Sequence, residues 1–303
     1  MAVRSSSCWP ASSSGAIVRP SALADKAIQR VNGASLFSRR QERQGGSDVA
    51  ESADLEVSAA ATLLMSRGGR RTFVPVARSF LQERKPGGGA APLSWFVKTK
   101  RRRALDLYLL AHALASTEPY DVALPARTWA LAIGLPDTAS SRVSISTSFT
   151  WLEQRKLISS ERDGRERRVW LLSESGSGRP YRHGVVGGAL DYFKLPYAFW
   201  NEDWSSQLDL SATAVLLISL SLSEHFSMPQ ERGGQWYGIS RDTVRRGLAT
   251  LVNLGLLTSK TTYRTSVRSP TGLIEQRRYT LTGPFARQMR PKGRAPASPS
   301  AAA

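Results

Sequence analysis

The sequence predicts a mainly α protein with small β-hairpins, an α+β fold of two tandem domains between disordered tails. Three observations predict it. A stretch of the chain repeats itself, each copy is followed by a hairpin signal, and the two ends offer no periodic apolar surface to bury.

The 303 residues have room for two domains of ordinary size, and 41% apolar residues with 8 tryptophans suffice for their cores. The formal net charge is +18, from 42 Lys and Arg against 24 Asp and Glu, which favours a polyanionic partner. Cys8 is the single cysteine and only His112, His183 and His225 carry imidazole, so a cysteine-based zinc or iron–sulfur site is excluded. No Gly-Lys-[Ser/Thr] occurs, which excludes a P-loop. The reading is therefore of a non-enzymatic protein with no catalytic residue, metal or cofactor.

Charge is distributed unevenly. Residues 65–103 hold 11 basic and 1 acidic side chains, residues 240–294 hold 12 and 2, and residues 104–174 are near neutral with 8 and 9. Residues 1–92 read as a tail and linker, 93–175 as a first domain, 176–194 as an inter-domain linker, 195–284 as a second domain and 285–303 as a basic tail. The apolar run Leu208 to Leu222 contains Asp209 and falls short of the ~20 residues a bilayer span needs, so it reads as a buried helix.

The repeat matches Leu124-Pro125 and Ile133-Gly134-Leu135 to Met228-Pro229 and Tyr237-Gly238-Ile239 at an offset of 104. It resumes at an offset of 99, aligning Ser141 to Ile145 with Ser240 to Val244 and Leu157-Ile158 with Leu256-Leu257. The segment Pro136 to Ser140 reads as a turn insertion in the first copy.

Each copy opens with an apolar helix, Ala104 to Ala115 and Ser211 to Ser223. A short second helix ends at a Gly-apolar turn, and a serine then caps a third helix. In the second copy that helix runs from Ser240 to Asn253. Val244, Leu248, Leu251 and Val252 form its inward face, and Asp242, Thr243, Arg246, Ala249 and Thr250 its outward one. A hairpin follows each third helix: Leu157 to Glu161 with Arg165 to Leu172 around Asp163-Gly164, and Thr258 to Val267 with Leu273 to Leu281. Both hairpins are basic, through Arg162, Arg165, Arg167 and Arg168 in one and Arg264, Arg268, Arg277 and Arg278 in the other. Helix, helix–turn–helix and basic hairpin together make a winged helix.

The run from Tyr237 to Leu257 resembles the winged helix-turn-helix of GntR-type bacterial regulators, and the first copy is a weaker match. Two such domains in tandem also resemble Rep-type plasmid replication initiators. These resemblances imply that the third helix enters a DNA major groove and the hairpin lies near the minor groove or backbone.

Arginine suits this role because its planar fork matches guanine or phosphate. The expected DNA-binding residues of the second copy are Ser240, Arg241, Thr243, Arg245 and Arg246 with Arg264, Arg268, Arg277 and Arg278. Those of the first are Arg142, Ser144, Arg165, Arg167 and Arg168, with Arg101, Arg102 and Arg103 as an arm. The first copy reads equally as a dimerising or spacer domain. Most tryptophans read as core, and Asp191, Glu202, Asp203 and Asp209 as solvated or capping groups. The expected partner is double-stranded DNA, with homodimerisation open and neither a membrane nor a small-molecule effector indicated. A cytoplasmic, nucleoid-associated regulator of transcription, a replication initiator and a protein-interaction module are the roles this reading carries forward.

Overall fold

The computed structural model describes residues 72–82, 91–182, 185–186, 189–228, 230–265 and 273–287, all within one compact unit of the chain. Strand β1 (Phe73–Ala77) leads into a 3-10 turn at Arg78–Phe80. Helix α1 (Pro92–Lys98) begins on Pro92, whose fixed φ and missing amide suit a first helical position. Helix α2 (Arg102–Leu114) buries Leu105, Tyr108, Leu109 and His112, which recur at helical spacing along one side.

Strand β2 (Asp121–Pro125), helix α3 (Ala126–Ala132), helix α4 (Ala139–Gln154) and the hairpin strands β3 (Ile158–Asp163) and β4 (Glu166–Leu171) complete the first lobe. The strands form an antiparallel sheet in the order β2–β4–β3. Trp129 of α3 packs edge-on against Phe149 of α4 with ring centroids 5.2 Å apart, and both are buried.

Two short strands, β5 (Val185–Val186) and β6 (Ala189–Leu190), precede β7 (Tyr192–Pro196). Short helices α5 (Ala198–Asn201) and α6 (Trp204–Gln207) lead to α7 (Leu210–Ser221), which is buried from Ser211 to Ser221. Helices α8 (Gly233–Tyr237) and α9 (Arg241–Asn253) and the hairpin strands β8 (Leu257–Thr265) and β9 (Leu273–Leu281) form the second lobe with α7. Gly238 at φ 66° turns the chain between α8 and α9, as Gly134 at φ 81° does after α3, in a region that suits glycine.

The hairpins share a register. Ile158 faces Leu171 in the first and Leu257 faces Leu281 in the second, so the offsets are 99 for the first strand and 110 for the second. The bridge between Phe226 and Tyr279 stands where β2 pairs with β4 in the first lobe. Helices α7 and α9 cross at backbone contact, because a Cβ on Gly247 would lie 2.5 Å from both the Ser211 carbonyl oxygen and Val215 Cγ2.

The sequence predicts a tail and linker over 1–92 and an inter-domain linker over 176–194, and the fold departs from both. Phe73–Ala77 pairs antiparallel with Tyr192–Pro196, and Val74, Val76, Phe193 and Leu195 are buried. Strand β1 packs on α2 and β7 on α7, so the two lobes share one continuous core. The unbroken apolar run of β1 and the alternation of β7 explain the burial, while their separation in sequence hides the pairing. The expected disorder of residues 1–64, and of the tail beyond 287, lies outside the described residues.

The supposed turn insertion in the first copy is another departure. Thr138, not Ser141, caps α4, its Oγ1 accepting the Ser141 amide at 3.1 Å, so Ala139 to Ser141 add about one helical turn. Val252, expected inside, is exposed. No helix among the described residues is long and apolar enough to cross a membrane.

Candidate nucleic-acid interface

Helix α4 and the β3–β4 hairpin enclose a groove of about 420 Å³. Arg142, Arg162, Arg165 and Arg167 line it with Ser146 and Thr147, while Trp129, Ile145 and Phe149 form its apolar floor. Strand alternation puts Arg162 and Arg167 directly opposite each other on the face that carries Val169 and Leu171 into the core. Arg165 sits exposed in the hairpin turn beside Gly164, one position later than the Asp163-Gly164 turn expected.

The groove holds an ordered polar chain. Arg162 Nη2 donates to Ser146 Oγ at 2.8 Å, and Arg167 Nη1 donates to Ser160 Oγ at 2.8 Å. Arg167 Nη2 reaches Ser146 Oγ at 3.4 Å, and Ser160 donates in turn to Glu153 Oε1 at 2.6 Å. The Arg167 guanidinium also lies 5.2 Å from the Phe149 ring centroid. Burial and then the neighbouring Arg162 charge hold its pKa below the usual arginine range.

Other expected contacts of the first lobe divide. Arg142 is exposed and pairs with Asp137 at 2.9 Å, a carboxylate that Arg127 also meets at 3.0 Å. Ser144 accepts from Arg103 Nη1 at 2.8 Å, which ties the first turn of α2, rather than a free arm, to α4. Arg168 points to the opposite face of the hairpin, 3.5 Å from Asp121 and beside Trp170. Arg101 is exposed.

Arg102 is a correction to the expected basic arm. Its Nε donates to both oxygens of Asp106 at 2.8 Å, and its two terminal nitrogens donate to the carbonyls of Leu208 and Ser205. It fastens α2 to α6 and to the link between α6 and α7 rather than offering a free cation. Burial raises the Asp106 pKa to about 6, against the opposing charge and hydrogen bonds of Arg102.

In the second lobe, Ser240 caps α9, its Oγ accepting the Thr243 amide at 3.1 Å. Thr243 is a second correction: it is 5% exposed, and its hydroxyl lies 2.9 Å from Ser240 Oγ. The first turn after the cap folds it under the helix instead of outward. Arg241, Arg245 and Arg246 are exposed on α9. Asp242 pairs with Arg245 at 2.6 Å and with Arg246 at 3.2 Å, so one carboxylate offsets part of that charge. The Arg245 hydrogen bond is the main cause holding the Asp242 pKa down.

Arg277 and Arg278 are exposed on opposite faces of β9, facing Thr261 and Lys260 across the hairpin. Tyr263, 69% exposed, lies on the Arg277 side of β8. The backbone of Arg264 belongs to β8, while Arg268 lies outside the described residues.

The residues missed from sequence are Arg162, noted as basic but not assigned a contact, and Ser146. Period-2 alternation in β3, with Ile158 and Ser160 preceding Arg162, was the available signal. Of the acidic groups of the middle stretch, Asp209 caps α7 by accepting the Ala212 amide at 2.6 Å and Asp191 meets Arg78 at 3.3 Å, while Glu202 and Asp203 accept from Trp204 Nε1 at 3.2 Å and Ser206 Oγ at 2.6 Å. Among the described residues no group of three or more His, Cys, Asp or Glu is placed to hold a metal ion. Compared with protein-family models, curated proteins and solved structures, the chain matches none.

Proposed function

We propose that the chain is a tandem winged-helix protein that binds double-stranded DNA with sequence preference. The observation that carries this reading is the arginine-lined groove between α4 and its hairpin, on a lobe whose hairpin register recurs in the second lobe behind α9. A helix with hydroxyl and guanidinium groups beside a basic two-stranded ribbon offers donors to base edges and phosphates together. The net charge of +18 supports a polyanionic partner. Of the two lobes, the second offers base-reading side chains in Arg241, Arg245 and Arg246, and the first offers the more enclosed cationic surface.

Transcriptional regulation is the role proposed first, on the resemblance of the run Tyr237 to Leu257 to the GntR-type winged helix-turn-helix. Replication initiation is the second reading. The shared core favours it, because a chain that fixes two such lobes together can engage two DNA segments without a partner subunit. Footprinting on the DNA flanking its own gene separates them. Inverted half-sites at a promoter support the regulator, direct repeats support the initiator, and the absence of any protected segment counts against both.

A further inference from the structure

From the groove of the first lobe we infer that Ser146, Arg162 and Arg167 form a seat for a single phosphate group of the nucleic-acid backbone. The inference rests on the DNA-binding reading and names where one backbone contact is made. Two guanidiniums from facing strand positions converge on one hydroxyl, at 2.8 and 3.4 Å. Among the described residues the hydrogen bonds from Arg162 and Arg167 run only to hydroxyls. Glu153 stands behind Ser160, and Glu166 lies at the hairpin end of the groove. A tetrahedral anion meeting both forks from the open side would gain charge-assisted hydrogen bonds that the serine oxygen supplies only weakly.

The second lobe carries the same elements rearranged. At the offsets of 99 and 110, Ser146, Arg162 and Arg167 correspond to Arg245, Thr261 and Arg277. Both lobes therefore place two arginines and one hydroxyl at three equivalent positions, with one arginine exchanged between helix and strand. They differ in the neighbouring carboxylate. Asp242 pairs with Arg245, whereas its counterpart in the first lobe is Val143, which is 66% exposed. With Val143 there, α4 sets no carboxylate at that position against Arg162 and Arg167, which places the stronger seat in the first groove.

The test is binding of a fluorescein-labelled random-sequence DNA duplex to the full chain across a salt series, with thermal melts alongside. Ser146→Asp puts a carboxylate between the two arginines and Arg162→Gln removes one of them. Both variants are expected to weaken binding and to reduce the slope of log affinity against log salt by about 1, the share of one phosphate. Ser146→Asp is also expected to melt at or above the wild-type temperature, a combination that loss of folding does not produce. Wild-type affinity and slope in both variants would overturn the seat while leaving DNA binding intact. A wild-type chain that retains no duplex at low salt would overturn the DNA-binding reading and the seat with it.

Discussion

Glu174 accepts the backbone amide of Ala77 at 2.7 Å through a carboxyl oxygen closed off from solvent. That single bond ties the end of β1 to the segment after β4, at the joint where the lobes share their core. His112 Nδ1 stands 3.9 Å from the same oxygen, and the rings of Tyr108 and Tyr181 each pack edge-on with His112. Burial pushes the Glu174 pKa up to about 8, only partly opposed by the Ala77 hydrogen bond.

A carboxyl whose folded pKa lies above its unfolded value contributes stability fully present below the unfolded pKa of 4.5 and lost as pH rises through about 8. Glu174→Gln retains the acceptor and cannot ionise. The variant is expected to gain on the wild type as pH rises from about 5 to 9, by on the order of a few kcal/mol. Thermal melts across that range check it, and parallel curves for the two proteins would contradict the assignment.

Gly247 is a packing requirement rather than a flexible point. A Cβ there would sit 2.5 Å from the Ser211 carbonyl, and a backbone oxygen yields less readily than a side-chain tip. Gly247→Ala is expected to destabilise by about 1–3 kcal/mol in denaturant melts. Ser148, its counterpart in α4, is buried and bonds the Ser144 carbonyl at 2.8 Å. Ser148→Ala is expected to cost about 1 kcal/mol or less.

Arg102 and Arg101 are neighbours with opposite roles. Arg102→Ala strands Asp106 and two carbonyls in a partly buried place, and a loss of about 3 kcal/mol or more in stability is expected. Arg101→Ala is expected to leave the melt unchanged and to lower DNA affinity uniformly across sequences. Paired melts and DNA titrations on the two variants separate these roles.

On α9, Ser240→Ala is expected to cost about 1 kcal/mol through loss of the cap. Thr243→Val is expected to leave the preference among DNA sequences unchanged, because that side chain is covered. A shift in preferred sequence with Thr243→Val would restore it to the reading face.

Local physics makes much of this fold legible in the sequence. The Ser240 cap, the Gly238 turn and three of the four inward residues, Val244, Leu248 and Leu251 but not Val252, stand where short-range pattern puts them. The pairing of β1 with β7 did not follow, since a strand of five residues containing Pro75 finds its partner far along the chain. Nor could the run Lys98 to Arg103 reveal which arginine turns inward. That depends on Asp106 one helical turn away and on carbonyls near α7. The pairing of Asp242 with Arg245 and Arg246 was readable from their spacing of three and four residues. Its consequence, a partly offset charge on the exposed face of α9, emerged only beside the groove of the first lobe.

The central claim is sequence-preferring DNA binding, and selection from a random DNA pool by the full chain at near-physiological salt tests it most directly. The account predicts an enriched motif whose strength falls by about 1–3 kcal/mol in Arg241→Ala or Arg245→Ala where that side chain reads a base. A pool retained at low salt with no enriched sequence would contradict it, leaving a nonspecific polyanion binder.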